Sequence, residues 1–468
     1  MRGLSAKDFK NLSKFARSPF HNQHKDIAAL FEVLAPLYPE FSEKDCNKEK
    51  VYKKLFPGDK YIDERIRNIM SDLAQVIESF FSHAELEQQA LTKGVYTLNA
   101  YKEQGHDKYF RSTLNKLIKQ QEASPYRDLE FYFNQHLLEE EKYDFDMRTR
   151  NRNIGTSLQQ VVDHLDNYYL FNKLRYCCEM INRRNILMEE YRLEMFDEVL
   201  VYMKKNPVDR VPGIQIYYQI LLTLTEKDEE NHYQKLIGLL DEYSYLFNKI
   251  DNKTFYAFAQ NYCIKKINSG KPQYLNELFE LNKKLIAGEF IYDGKHIPQW
   301  DFKNIVTTAL RLKELDWVEE FIIEYKGKVE AKDRKNAFAY NMAYLNFYKE
   351  EYGKAIRLLQ RVKFTDVFYN LDSKSMLLKS YYELEEYTVL FALSDTLKNY
   401  LRRNKQVSDY FRTIYTNLVR YLSKMAKYRV NGRDLPEKFM IEVEENNQVA
   451  DKGWLKQKLK EFETFPAY

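Results

Sequence analysis

Apolar residues recur at steps of three and four along most of the chain, and the alternation of a half-buried strand is scarce. The first such segment, 5–17, is closed by Ser18-Pro19, and a second, 23–38, stops at Pro39. Asn47 is placed to cap a short helix at 48–56, which Pro57-Gly58 ends. From 61 to 91 the set Ile62, Ile66, Ile69, Leu73, Val76, Ile77, Phe80 and Phe81 predicts one long helix. Gly94 and Gly105 bracket a short helix, and 107–121 follows with Phe110, Leu114, Leu117 and Ile118 on one face. Ser124-Pro125 is expected to open the next helix, since Pro suits the first helical position. The polar stretch 144–155 reads as a linker, and a long amphipathic helix is expected from Thr156 to about Ile181.

The C-terminal half repeats itself. LDWVEEFIIEY around Trp317, KEEYGKAIRLL around Tyr352 and LEEYTVLFALS around Tyr387 align without gaps, with their aromatic anchors 35 residues apart. Each anchor follows an acidic residue (Asp316, Glu351, Glu386) and precedes an apolar one by four positions (Phe321, Ile356, Phe391). Weaker copies are centred on Tyr274, Tyr233 and Phe196, with Leu278, Ile237 and Leu200 in the later place. A helix ends shortly before each anchor, so the unit is helix–turn–helix. One helical pair cannot bury its apolar face alone, whereas stacked pairs share a continuous core. The anchors are therefore expected to be buried.

Residues 337–362 resemble a tetratricopeptide repeat. Ala343 and Ala355 stand where that family places small residues in its two helices, with Tyr352 at the turn and Leu359 packing behind. The neighbouring units depart, with Thr308 and Glu320 in one and Leu378 and Leu390 in the other. The resemblance covers about 301–399. It implies an all-α protein, a tetratricopeptide-like α-solenoid of stacked helical hairpins over 156–400. An N-terminal helical domain at 1–143 would precede the 144–155 linker, and helices at 401–468 would cap the solenoid. It also implies a non-enzymatic scaffold or adaptor whose groove binds another protein or peptide. Tyr340, Asn341, Tyr344 and Tyr381, in the first helices of the repeats, are the candidate partner-binding residues. Tyr gives large contact area at low entropy cost.

Residues 47–81 are similar to the helix-turn-helix half of winged-helix regulators. That resemblance implies an alternative, a DNA-binding transcriptional regulator in which Arg65 and Arg67 approach the phosphates or base edges. A winged helix needs a β-hairpin next, and here SHAELEQQALTK continues in helical pattern. A hairpin capping the solenoid is the favoured reading.

Composition narrows the function classes. Gly (14) and Pro (11) are scarce in 468 residues, which disfavours a turn-rich β-architecture. A formal net charge of +4 gives no global pull toward nucleic acid or a membrane surface. No secretory signal and no membrane-spanning run is read, and the four scattered cysteines (46, 177, 178, 263) form neither a disulfide framework nor a zinc pattern. A cytoplasmic location is expected. No phosphate loop, dinucleotide fingerprint or H-E-x-x-H occurs, so no cofactor, metal or catalytic residue is expected. His21 and His24, three apart near Asp26, read as exposed or capping groups. Basic clusters at Arg148, Arg150 and Arg152, at Arg183-Arg184 and at Arg402-Arg403 leave nucleic-acid contact open without favouring it.

Overall fold

The structure is a computed structural model and describes residues 1–149, 154–187, 190–206, 211–226, 228–362 and 366–464. Among them the chain forms 22 α-helices and no strand. Two isolated backbone bridges, Asp293–His296 and Ile297–Val329, are the nearest approach to a sheet. No helix of the described residues is long and apolar enough to cross a membrane. The chain divides into two compact units, Met1–Tyr176 and Cys177–Tyr468.

In the first unit α1 (Ala6–Arg17) starts at Ser5, whose hydroxyl accepts from the Asp8 amide at 3.1 Å. After α2 (Lys25–Leu34), α3 (Lys48–Leu55) starts at Asn47, which accepts from the Glu49 and Lys50 amides at 3.1 and 3.3 Å. These side chains satisfy donors that a helix start leaves unpaired. With α4 (Asp63–Gln88) the three bury Leu12, Phe31, Tyr52 and Ile66, each fully enclosed.

Three expectations are corrected here. The long helix expected over 61–91 breaks at Gln89, whose backbone leaves helical space, and α5 (Ala90–Gln104) follows. Gly94 does not bracket a helix. It lies inside α5 and is buried against Leu117 of α6 (Asp107–Glu122), so that a Cβ there would fall 2.5 Å from the Leu117 side chain, which would have to shift. The next helix, α7 (Leu129–Arg148), starts at Asp128 rather than at Ser124-Pro125, because the Asp128 carboxylate accepts from the Phe131 amide at 3.0 Å. Since α7 runs on to Arg148 and α8 (Ile154–Leu187) resumes at 154, the 144–155 segment is helical at both ends. Residues 150–153 of it lie outside the described residues. The division between units falls later, within α8.

The second unit continues with α9 (Phe196–Lys205), α10 (Pro212–Thr225), α11 (Asn231–Tyr243), α12 (Lys249–Asn268), α13 (Tyr274–Ala287), α14 (Gln299–Arg311) and α15 (Leu315–Tyr325). Then come α16 (Ala331–Tyr348), α17 (Tyr352–Leu359), α18 (Val367–Glu383), α19 (Tyr387–Arg403), α20 (Asp409–Val430), α21 (Glu437–Glu445) and α22 (Lys452–Thr464). Neighbours in sequence pair as α10–α11, α12–α13, α14–α15, α16–α17 and α18–α19, and alternate helices α14, α16, α18 and α20 also pack on one another.

The aromatic anchors open second helices. Phe196, Tyr274, Tyr352 and Tyr387 are the first residues of α9, α13, α17 and α19, and Tyr233 and Trp317 are the third residues of α11 and α15. Tyr233 and Tyr274 are buried as expected. Trp317, Tyr352, Tyr387 and Phe196 are only half-buried. The Trp317 ring shows why: it stacks on Phe321 at 5.2 Å and meets Phe279 edge-on at 4.9 Å, while Phe321 takes the enclosed place.

The clearest repetition is in the turns. Lys313, Glu350 and Glu385 have φ of 64°, 62° and 58°, a left-handed conformation that usually calls for glycine. One residue later the amides of Glu314, Glu351 and Glu386 donate to the carbonyls of Ala309, Asn346 and Tyr381 at 3.1, 2.8 and 2.9 Å. This six-residue closure satisfies carbonyls left open at the end of α14, α16 and α18, and redirects the chain the same way three times.

Candidate functional site

Helices α14, α16, α18 and α20 carry a linked set of polar and aromatic side chains. The Lys303 ammonium of α14 is paired with the Asp372 carboxylate of α18, and the Tyr415 hydroxyl of α20 donates to the same carboxylate. Lys303 also lies over the rings of Trp300, Tyr340 and Tyr369, at 5.2, 5.2 and 4.8 Å from their centroids. A buried ammonium needs such partners, because its desolvation is otherwise uncompensated.

This arrangement decides the fate of the predicted tyrosines. Tyr340 is 2% exposed and forms a wall of the Lys303 cage, edge-on to Tyr369 at 5.0 Å. Asn341 is fully buried and donates its amide to the Ala337 carbonyl at 2.8 Å. Tyr381 is buried, with its hydroxyl accepting from Gln360 at 3.0 Å. These three residues are internal and do not present a recognition surface. Tyr344 is half-buried and lines an open cleft.

The cleft encloses about 590 Å³. Tyr344, Phe347 and Tyr348 of α16 supply an aromatic wall, with the Tyr344 and Tyr348 rings edge-on at 5.4 Å. Lys379 and Glu383 of α18 and the start of α22, from Asp451 to Gln457, form the opposite side. That side is tied together: Asp451 accepts from the Ser375 hydroxyl at 2.6 Å and pairs with Lys379 at 3.0 Å. Trp454 donates its indole N–H to Glu383 at 2.8 Å, and Lys458 pairs with the same carboxylate at 2.7 Å.

Desolvation works to raise the Asp451 carboxyl. The Lys379 charge and the hydrogen bonds from Ser375 and Lys379 outweigh it and hold the group below its ordinary value. Desolvation pushes the Tyr344 and Tyr348 phenols up, so both stay neutral hydrogen-bonding groups at physiological pH. At the mouth, Arg311, Lys313 and Glu350 make no side-chain hydrogen bond or ion pair among the described residues. The cleft thus offers ring surface, neutral hydroxyls and uncommitted charge, which suits binding of a chain segment.

The other candidates were not brought together. The Arg65 guanidinium lies 3.6 Å over the Phe56 ring and pairs with Asp59 at 3.2 Å and Asp26 at 3.7 Å, and Arg67 pairs with Asp63 at 2.8 Å. The chain after α4 continues as α5, with no wing strand among the described residues. His21 stacks on Phe15 at 3.9 Å, whereas His24 precedes α2 with its amide on Asn22. No group of three or more metal-capable side chains occurs among the described residues. Arg148 pairs with Asp107, while Arg150 and Arg152 lie outside the described residues. Cys178 and Cys263 are buried thiols, Cys178 pushed well up and Cys263 to about 12 by burial, which leaves little thiolate for nucleophilic chemistry.

Sequence reasoning missed Tyr348, Lys379, Asp451 and Arg311. Tyr348 stands four after Tyr344 on the same helix, a spacing open to reading. The Ser375–Asp451 contact spans 76 residues and has no local signature. No protein-family model matches this chain, and no curated protein or solved structure matches it either.

Proposed function

We propose that the chain is a non-enzymatic adaptor, a tetratricopeptide-like solenoid that binds a peptide segment of another protein in the Tyr344–Tyr348 cleft. Three things support the solenoid reading: the three matched turns, the 35-residue spacing of the anchors and the packing of alternate helices. The observation that carries the binding reading is the cleft itself. Tyr344 and Tyr348 offer ring faces there beside Arg311, whose guanidinium has no partner among the described residues. An extended segment with an aromatic or apolar side chain and a carboxylate meets both features.

The test is quantitative capture of partners from cell extract with the wild-type chain, with Arg311→Glu and with Tyr344→Ala. Arg311 is exposed, so its substitution leaves the core untouched. A stoichiometric partner lost with both variants, and kept by the remote variant Arg402→Gln, supports the reading. Recovery of no partner, or equal recovery with the cleft variants, sinks it.

A further inference from the structure

A second groove lies between α15, α16 and α17, on residues separate from the Tyr344–Tyr348 cleft, and encloses about 470 Å³. Its charge is one-sided. Among the described residues Glu319 and Glu351 are the carboxylates that line it, and each is already committed, to Lys349 and, at 2.6 Å, to Lys354. Arg357 and Arg361 line the same groove, are exposed, and make no side-chain hydrogen bond or ion pair among the described residues. Two guanidinium groups four residues apart are left uncompensated, and guanidinium is the cation best shaped for carboxylates.

The floor between these charges is apolar. Leu345 is buried, and Met342 and Leu358 are half-buried, each with part of its surface open to the groove. Met is an adaptable contact for apolar side chains of differing shape. Among the described residues the groove is lined by no aromatic residue. A single-stranded nucleic acid therefore finds cations here but, among the described residues, no ring on which to stack a base.

We propose that this groove is a docking site for an acidic peptide segment of a partner protein, one that alternates carboxylates with aliphatic side chains. The carboxylates engage Arg357 and Arg361, and the aliphatic groups cover Met342 and Leu358. This site is independent of the Tyr344–Tyr348 cleft and stands or falls without it.

The experiment uses the full chain and three labelled probes followed by fluorescence anisotropy: a short peptide alternating Glu and Leu, its counterpart alternating Lys and Leu, and oligo-dT. The Glu/Leu peptide is expected to bind, more weakly as salt rises, and the other two are not. Arg357→Gln combined with Arg361→Gln is expected to weaken binding by about tenfold, the loss of two exposed charge contacts. Arg357→Lys combined with Arg361→Lys restores part of it, and Arg402→Gln combined with Arg403→Gln, which removes equal charge elsewhere, leaves it unchanged. Tyr344→Ala also leaves it unchanged. The proposal is overturned if the Lys/Leu peptide or oligo-dT binds as tightly. It is overturned equally if the Arg357/Arg361 pair of substitutions has no effect or if the Arg402/Arg403 pair has the same effect.

Discussion

The Ser375 hydroxyl donates to the Asp451 carboxylate at 2.6 Å, joining α18 to the start of α22 across 76 residues of chain. The same carboxylate pairs with Lys379, whose ammonium also lies over the Phe347 ring at 4.9 Å. Replacing the carboxylate leaves a nearly buried ammonium without its counter-charge.

Asp451→Asn is therefore expected to destabilise the chain by about 2 kcal/mol, less than for a fully buried pair because Asp451 is partly exposed. Urea unfolding of the two proteins measures it. The pH dependence has a definite sign. The folded chain holds this carboxyl below its ordinary value of 3.8, so its contribution is complete above that value and is lost as pH falls through the lower, folded-state one. Asp451→Asn should flatten the acid limb of the stability profile below about pH 4 and leave the neutral limb parallel to wild type.

Glu385 occupies a left-handed position at φ 58° in an exposed turn. The conformation costs a residue with a Cβ about 1–2 kcal/mol, partly offset by the greater freedom glycine has in the unfolded chain. Glu385→Gly is expected to raise stability by about 0.5 kcal/mol, and Glu385→Val to lower it. A gain with valine would contradict the turn geometry.

A methyl group at Gly94 would sit 2.5 Å from Leu117 Cδ2. Alanine is the better helix former by about 1 kcal/mol, but overpacking a closed core costs about 1–3 kcal/mol. Gly94→Ala should therefore destabilise the wild-type chain, whereas in a Leu117→Ala background, itself destabilised by the lost core side chain, the same substitution should raise stability by the gain that helix propensity alone supplies. A double-mutant cycle that shows no coupling between the two positions would refute the close approach.

Cys177, Cys178 and Cys263 are buried, while Cys46 is half-exposed. A maleimide added to the folded chain should modify Cys46 alone, and the other three only after denaturation, as mass spectrometry of the labelled peptides will show.

Much of the helical layout could be read from the chain because apolar spacing and caps are local. Asn47 and Ser5 each stand where a helix begins, and the anchors Tyr352 and Tyr387 open α17 and α19. The break at Gln89 could not be read, since no Gly or Pro marks it. Ser124-Pro125 misled because Asp128 is a competing cap a few residues on. The candidate tyrosines were the hardest case. Tyr340 and Tyr344 share a face of α16, yet one closes around Lys303 and the other opens to the cleft. That difference is set by α14 and by α22, which lie far away in sequence.

One side of the Tyr344–Tyr348 cleft belongs to residues 451–457, whereas its aromatic wall is made roughly a hundred residues earlier in synthesis. A chain still on the ribosome can thus form α16 and α18 while the cleft lacks the side made by 451–457. A ligand that needed both walls would therefore find this site incomplete until residues 451–457 had docked.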